Sequence, residues 1–226
     1  MSHFSFVLDA SSLEKGVGNI KRWCEESTSD SSPHVTLNLY IPTFTIQELD
    51  FLRYKRKSYA AKESLKFIDS IETNENVDVI IEFPDLLDTI TWFDVLKFQQ
   101  QPVPEYEMNG TNSARALPRR FKNLLKSCVY KCHLESGNDE TWSLIAEDPQ
   151  VRKLATAFQI PTVSLLEADN MVSMKTNKQA FKQNQKFNKY LKKKSTKEVT
   201  AGKEIYKTKF DSMVYAPRGS GDLWLP

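Results

Sequence analysis

Cysteine is scarce in this 226-residue chain, and its three cysteines offer no disulfide framework. Cys128 and Cys132 sit four apart, as on one helix face, beside His133. A structural zinc site needs a second ligand pair that the sequence lacks, so the spacing favours reduced core thiols. Long apolar runs are missing too. The longest, such as VDVIIEF at 77–83, fall far short of the roughly 20 residues a membrane helix needs. The N-terminus has no basic stretch followed by an apolar one and a cleavage site, which leads us to expect a protein that is neither secreted nor membrane-bound. Without a secretory signal, the Asn109-Gly110-Thr111 sequon carries no meaning as a glycosylation site.

Another absence is local. Residues 175–197 contain nine lysines and no acid. Residues 171–226 hold 13 Lys/Arg against 4 Asp/Glu, whereas residues 1–170 hold 18 against 25. A formal net charge of +2 therefore hides an acidic body and a basic arm, and the arm's expected partner is nucleic acid or an acidic protein surface. The expected division is a body at 1–170 and an arm at 171–226.

What is present in the body is an alternation of strand and helix. Strands are expected at HFSFVLD (3–9), VTLNLYI (35–41), VDVIIEF (77–83), TWSLIA (141–146) and IPTVSLL (160–166). Helices are expected at about 12–25, 45–55, 58–72, 85–99 and 118–134, with another beginning near 149. Ala60, Ser64, Phe67, Ile68 and Ile71 form the apolar stripe of the third helical segment. Such alternation predicts an α/β fold with a central parallel sheet between helical layers.

In parallel sheets, ligands bind beyond the carboxyl ends of the strands. Asp9 ends the first strand, Asp148 follows the fourth, and Glu48 lies one turn into the helix after the second. Each acid has an ordinary structural reading. Asp9 can close a local turn, Asp148 before Pro149 suits a helix N-cap, and Thr45 with Glu48 has the spacing of a capping box. Together the three acids would converge on one sheet edge. Clustered carboxylates repel unless a cation lies between them, and such oxygen donors suit Mg²⁺ or Mn²⁺, which can clamp a phosphodiester and activate water.

The segments FVLDAS, YIPTFTIQELDFL and LIAEDPQVRKLA resemble, in that order, the first acidic strand, the proline-led second strand with its Glu-Leu-Asp helix start, and the last acidic turn of PIN-domain proteins. The likeness covers roughly residues 3–170. It implies a three-layer α/β/α body of a family of metal-dependent nucleases acting on single-stranded RNA through three or four acids. On that pattern Asp9, Glu48 and Asp148 match the first, second and last acids, with Asp9 and Asp148 as the ligands if a metal binds. The remaining acid belongs near the start of the helix before strand four, where this chain has Arg119-Arg120-Phe121-Lys122-Asn123. Lys122 is the residue we expect near the missing acid. A cation ~4 Å from a metal is repelled by on the order of 4 kcal/mol per unit of metal charge at an effective dielectric near 20. Ala146 also stands where active members often carry a hydroxyl. The expectation is a remnant acidic pocket, catalytically weak or dead, that requires no cofactor; Mg²⁺ or Mn²⁺ belongs to the competing reading as a single-stranded RNA endonuclease.

GNIKRWC, RRFKNLLKSCVYKC and the ending YAPRGSGDLWLP narrow the resemblance to the fungal PIN-domain factors of nonsense-mediated mRNA decay. That likeness implies an up-frameshift RNA helicase as protein partner, with modulation of its RNA binding or ATP turnover, and a monomer acting within a complex; the run Lys192 to Lys194 is too short to read as a nuclear signal, so the cytoplasm is the default expectation. In the arm, Lys186, Lys189, Lys192, Lys193 and Lys194 are candidates for RNA phosphates. Phe187, Tyr190, Tyr206, Phe210, Tyr215 and Trp224 are candidate anchors for a partner's pockets, since the segment is too short and broken to build a core of its own. Docking of the arm on its own body is the rival explanation.

Overall fold

The apolar runs assemble into one parallel sheet in a computed structural model that describes residues 2–28, 35–71, 73–101, 103, 117–135, 141–176 and 181–182. Its strands are β1 (Ser2–Leu8), β2 (Val35–Ile41), β3 (Val77–Ile81), β4 (Trp142–Ile145) and β5 (Thr162–Val163), in the order β3-β2-β1-β4-β5. All four pairings are parallel, with Phe6 opposite Leu39 in β2 and opposite Ser143 in β4.

Strand alternation sorts the core into two layers. Val7, Tyr40 and Leu144 face one apolar cluster, built with helices α5 (Trp92–Leu96), α6 (Arg119–Val129) and α7 (Pro149–Ala157). Phe6, Leu8, Leu37, Leu39, Ile41 and Ile145 face the other, built with α1 (Ala10–Thr28), α2 (Thr43–Lys55), α3 (Tyr59–Ser70) and α8 (Leu165–Thr176). The result is the expected α/β fold, a central parallel sheet flanked by helices on both faces, consistent with a three-layer PIN-like architecture.

Four elements differ from the sequence expectation. The strand expected over 160–166 is only Thr162–Val163, because Leu165 and Leu166 already belong to α8. The helix expected over 85–99 is broken into α4 (Leu86–Thr89) and α5, because Ile90 is extended and Thr91 starts a new helix by accepting the Asp94 N–H. The helix expected to 134 ends as α6 at Val129, then continues as a π-helical turn, Tyr130–Leu134. Helix α8 was not anticipated at all. It runs without a break through position 170, and its Ala168 and Val172 are fully buried against α1 and the sheet. A compact unit spans Met1–Gln183.

Docking of α8 depends on two contacts. Asp169 accepts a hydrogen bond from Trp23 Nε1 at 2.7 Å and pairs with Arg22. Gly16, at a non-helical kink in α1 (φ −137°), lets Leu165 approach: a Cβ there would lie 2.2 Å from Leu165 Cδ2. Across the sheet, buried Lys131 lies under the rings of Tyr40 (4.7 Å) and Trp142 (5.1 Å) and pairs with Glu135. No helix among the described residues is long and apolar enough to cross a membrane.

Candidate functional site

The strand order places the topological switch point between β1 and β4, because the chain moves from β1 outward to β2 and β3 before returning to the other side. Ligands of such sheets bind in the crevice at that point. Asp9 is the first residue past β1, and its N–H donates to the Ile145 carbonyl at the end of β4. Asp148 is three residues past β4. Both therefore stand on the two strands that flank the crevice.

Asp9 is nearly fully buried, at 3% exposure. Its Oδ2 accepts from the Ser11 N–H at 3.1 Å and from the Ser11 hydroxyl at 2.5 Å. Burial pushes the carboxyl above the ordinary aspartate value; the Ser11 hydrogen bonds oppose the shift, and the charge of Asp148 adds to it. The same Ser11 oxygen accepts from the backbone N–H groups of Glu147 (2.9 Å) and Asp148 (3.1 Å). One hydroxyl thus ties the first acid to the turn that carries the last. Glu147 continues the chain of contacts, with Oε1 accepting the Leu165 N–H at the start of α8.

Asp148 is the N-cap of α7, accepting the Gln150 N–H at 2.8 Å ahead of Pro149. It also lines the crevice. Helix capping and a place in the pocket are therefore one arrangement, not two alternatives.

The capping box at Thr45 and Glu48 is not formed. Helix α2 begins two residues earlier, at Thr43 after Pro42, and the Thr45 hydroxyl donates instead to the Leu8 carbonyl at 2.7 Å. What holds the helix start is Glu82, a buried acid that the sequence reading passed over. Its carboxylate accepts from the Thr43 N–H and from the Tyr40 hydroxyl, each at 2.8 Å. Fixing α2 in this way brings Glu48 to the wall of the crevice.

Asp9, Glu48 and Asp148 line a single cavity of about 220 Å³. Its wall also carries a fourth acid, Glu14, whose carboxylate accepts the Ser58 hydroxyl, and two cations, Arg56 and Arg120. Lys122 does not line the cavity; its Nζ sits 5.5 Å from the centre of the Trp92 ring. The basic residue contributed from the start of α6 is Arg120, two residues from Lys122 and so on the other side of the helix. Ala146 is fully buried, and the hydroxyl at this turn comes from Ser11. Ser11 was legible only as part of the Asp-Ala-Ser-Ser string; its partnership with a turn 137 residues away has no local signal.

The donor set does not fit a divalent cation. Among the described residues no group of three His, Cys, Asp or Glu side chains lies close enough to share an ion. The buried Asp9 has its Oδ2 occupied by the Ser11 N–H and hydroxyl, and burial holds its carboxyl above the ordinary aspartate value. Two arginines add charge of the wrong sign. The three cysteines are free, and burial pushes the Cys24 and Cys132 thiols up to about 12.

The arm residues singled out in the sequence, Lys186, Phe187, Lys189, Tyr190, Lys192, Lys193, Lys194, Tyr206, Phe210, Tyr215 and Trp224, lie outside the described residues.

No protein-family model matches the chain. It is 48% identical to Nonsense-mediated decay protein 4 of Saccharomyces cerevisiae over the full length of both chains, and 44% identical to the protein of the same name from Candida glabrata, again over both full lengths. A third relative so named, from Kluyveromyces lactis, is 40% identical over 98% of this chain and 96% of its own. Identity at this level over whole chains makes this protein a member of the Nonsense-mediated decay protein 4 family.

Proposed function

We propose that the chain is a non-catalytic factor of nonsense-mediated mRNA decay: a degenerate PIN-like body that serves as an adaptor, binds the up-frameshift RNA helicase mainly through residues 171–226, and modulates that enzyme's RNA binding or ATP turnover. The pathway rests on the names of relatives that match the chain from end to end. The helicase rests on the likeness of the sequence to the fungal factors. The adaptor character rests on one observation above all, the presence of Arg120 and Arg56 in the cavity of Asp9, Glu48 and Asp148.

A site built for phosphodiester hydrolysis by metal needs carboxylates that are ionised, free to bind and unopposed by fixed cations. Here one acid is buried under a serine, another caps a helix, and two arginines line the same cavity. The competing reading, a Mn²⁺-dependent RNA endonuclease, draws on the fact that all three family-matched acids do share one cavity.

Co-purification tests the adaptor proposal. Cutting at residue 170 would remove Val172 from the core, so the informative deletion is 184–226, which leaves the compact unit whole. Loss of helicase binding on that deletion is the expected result. Undiminished binding by residues 1–183 would contradict it.

A further inference from the structure

Strand β3 is an edge of the sheet, with β2 on one side and no strand among the described residues on the other. Its register fixes where its backbone points. The Leu37 N–H donates to the Asn76 carbonyl and the Glu82 N–H to the Ile41 carbonyl, so the even-numbered residues of β3 turn their polar groups toward β2. The odd-numbered ones, Val77, Val79 and Ile81, turn theirs outward. Val77 is closed off by Asn74, which exchanges both backbone hydrogen bonds with it. Val79 and Ile81 keep outward N–H and C=O groups that no described strand pairs.

Two kinds of side chain accompany this edge. Ile81 is 44% exposed, and Phe83, just past the strand, 79%. An edge that had only to avoid sticking to other sheets would carry charge there and no open phenylalanine. The second kind is acid: residues 67–96 hold eight Asp/Glu and no Lys or Arg. Glu82 is buried on Tyr40 and Thr43, and Asp94 pairs with Lys97. Glu75, Asp85 and Asp88 are exposed and Asp78 half-buried, and none of the four makes an ion pair among the described residues. Lys126, from α6, donates to the Leu87 carbonyl and leaves the acids on either side unpaired. None of these residues lines the acidic crevice.

We propose that the β3 edge binds an extended, lysine- or arginine-rich segment of a partner protein, which adds to the sheet beside Val79 and Ile81. The backbone ladder supplies affinity, Ile81 and Phe83 take the segment's apolar residues, and the acids face its cations. A nucleic acid is excluded by the same charge, since its phosphates would meet unpaired carboxylates and it has no amide ladder to offer. A second copy of the chain would set two acidic edges against each other. The chain's own basic stretch, within 171–226, is assigned above to the helicase, so the segment comes from a second protein. The surface lies on the body and is independent of that assignment.

The test is fluorescence anisotropy of a labelled peptide of about nine residues, lysine alternating with valine, titrated with the full chain. Binding that weakens as salt rises is the expected result. A peptoid with the same side chains keeps the charge but has no backbone N–H, and should bind at least about tenfold more weakly. Ile81→Pro removes one outward donor at an edge position where proline is tolerated, and should also weaken the peptide about tenfold. Asp85→Asn with Asp88→Asn should cost about fivefold and flatten the salt dependence. Asp50→Asn, on α2, is the control and should change affinity less than about twofold. Urea midpoints verify the fold of each variant, and the peptoid comparison needs no variant at all. Absence of peptide binding by the full chain, equal binding of the peptoid, or a loss in the acidic pair no larger than the control's would overturn the proposal. So would binding by residues 1–183 but not by the full chain, which would assign the edge to a segment within 184–226. A dimer in sedimentation equilibrium that Ile81→Pro dissolves would overturn it in favour of a second copy.

Discussion

Ser11 and Asp148 meet across 137 residues of sequence, the Ser11 oxygen accepting the Asp148 N–H at 3.1 Å while its own proton goes to Asp9. This hydroxyl is the joint between the two strands that flank the crevice, and Ser11→Ala removes it at a stroke. The backbone N–H groups of Glu147 and Asp148 then lose their acceptor, and Asp9 loses one donor. A part-buried pair of orphaned donors costs about 2 kcal/mol. Urea unfolding should show a lower midpoint with the same slope; an unchanged midpoint would mean that water replaces the hydroxyl freely.

Asp9→Asn makes a prediction of opposite sign. The folded-state carboxyl titrates above its ordinary value near 3.8 because it is buried. Between that ordinary value and the raised one, the folded chain holds a proton that the unfolded chain has released, so stability falls as pH rises through the window. Asparagine offers the same acceptor to the Ser11 N–H and hydroxyl without a buried charge. The variant should therefore be more stable than the parent at neutral pH and should lose this part of the decline between acid and neutral pH. Urea midpoints at pH 4 and pH 7 test it, and a variant less stable at both would refute this account of Asp9.

Gly16 was not singled out from the sequence, yet α8 docks over it. Gly16→Ala should destabilise the protein by about 1–3 kcal/mol, since the new methyl group must displace Leu165 from a packed position. Its φ of −137° is open to any residue, so the cost is steric alone. Leu165→Ala introduced alongside should recover part of that loss. Additive losses in the double variant would disprove the clash.

Lys131→Met should cost about 1–2 kcal/mol, because the cation under Tyr40 and Trp142 disappears while the side-chain bulk remains. Glu135→Gln should cost less, as the Glu135 side chain is 39% exposed and water screens its charge. Equal effects in the two variants would assign the stability to the ion pair and not to the rings.

How much of this was legible in the sequence follows from what carries local signal. The β2 run Val35–Ile41 is apolar at every other position or better, and its limits match the expected strand residue for residue. Asp148 before Pro149 announces a cap, and it caps. Helix α8 was hidden because Lys175 and the lysines after it make residues past 170 look like the start of a solvated arm, although Ala168, Val172 and Ser173 face the core. The break at Ile90 and Thr91 was missed because a short apolar-polar pattern reads the same in one helix or in two. At the crevice, Asp9 and Asp148 could be placed from strand ends and Glu48 from the helix that follows the second strand. Ser11, Glu82 and Arg120 could not: each gains its role from a partner on another element.

The most direct measurement incubates highly purified full-length protein with end-labelled single-stranded RNA and Mn²⁺, beside Asp9→Asn and Asp148→Asn. The account predicts no cleavage, or equal traces from all three proteins. Cleavage by the unaltered chain that both variants lose would contradict it, and would mean that the acids hold a working ion in spite of Arg56 and Arg120.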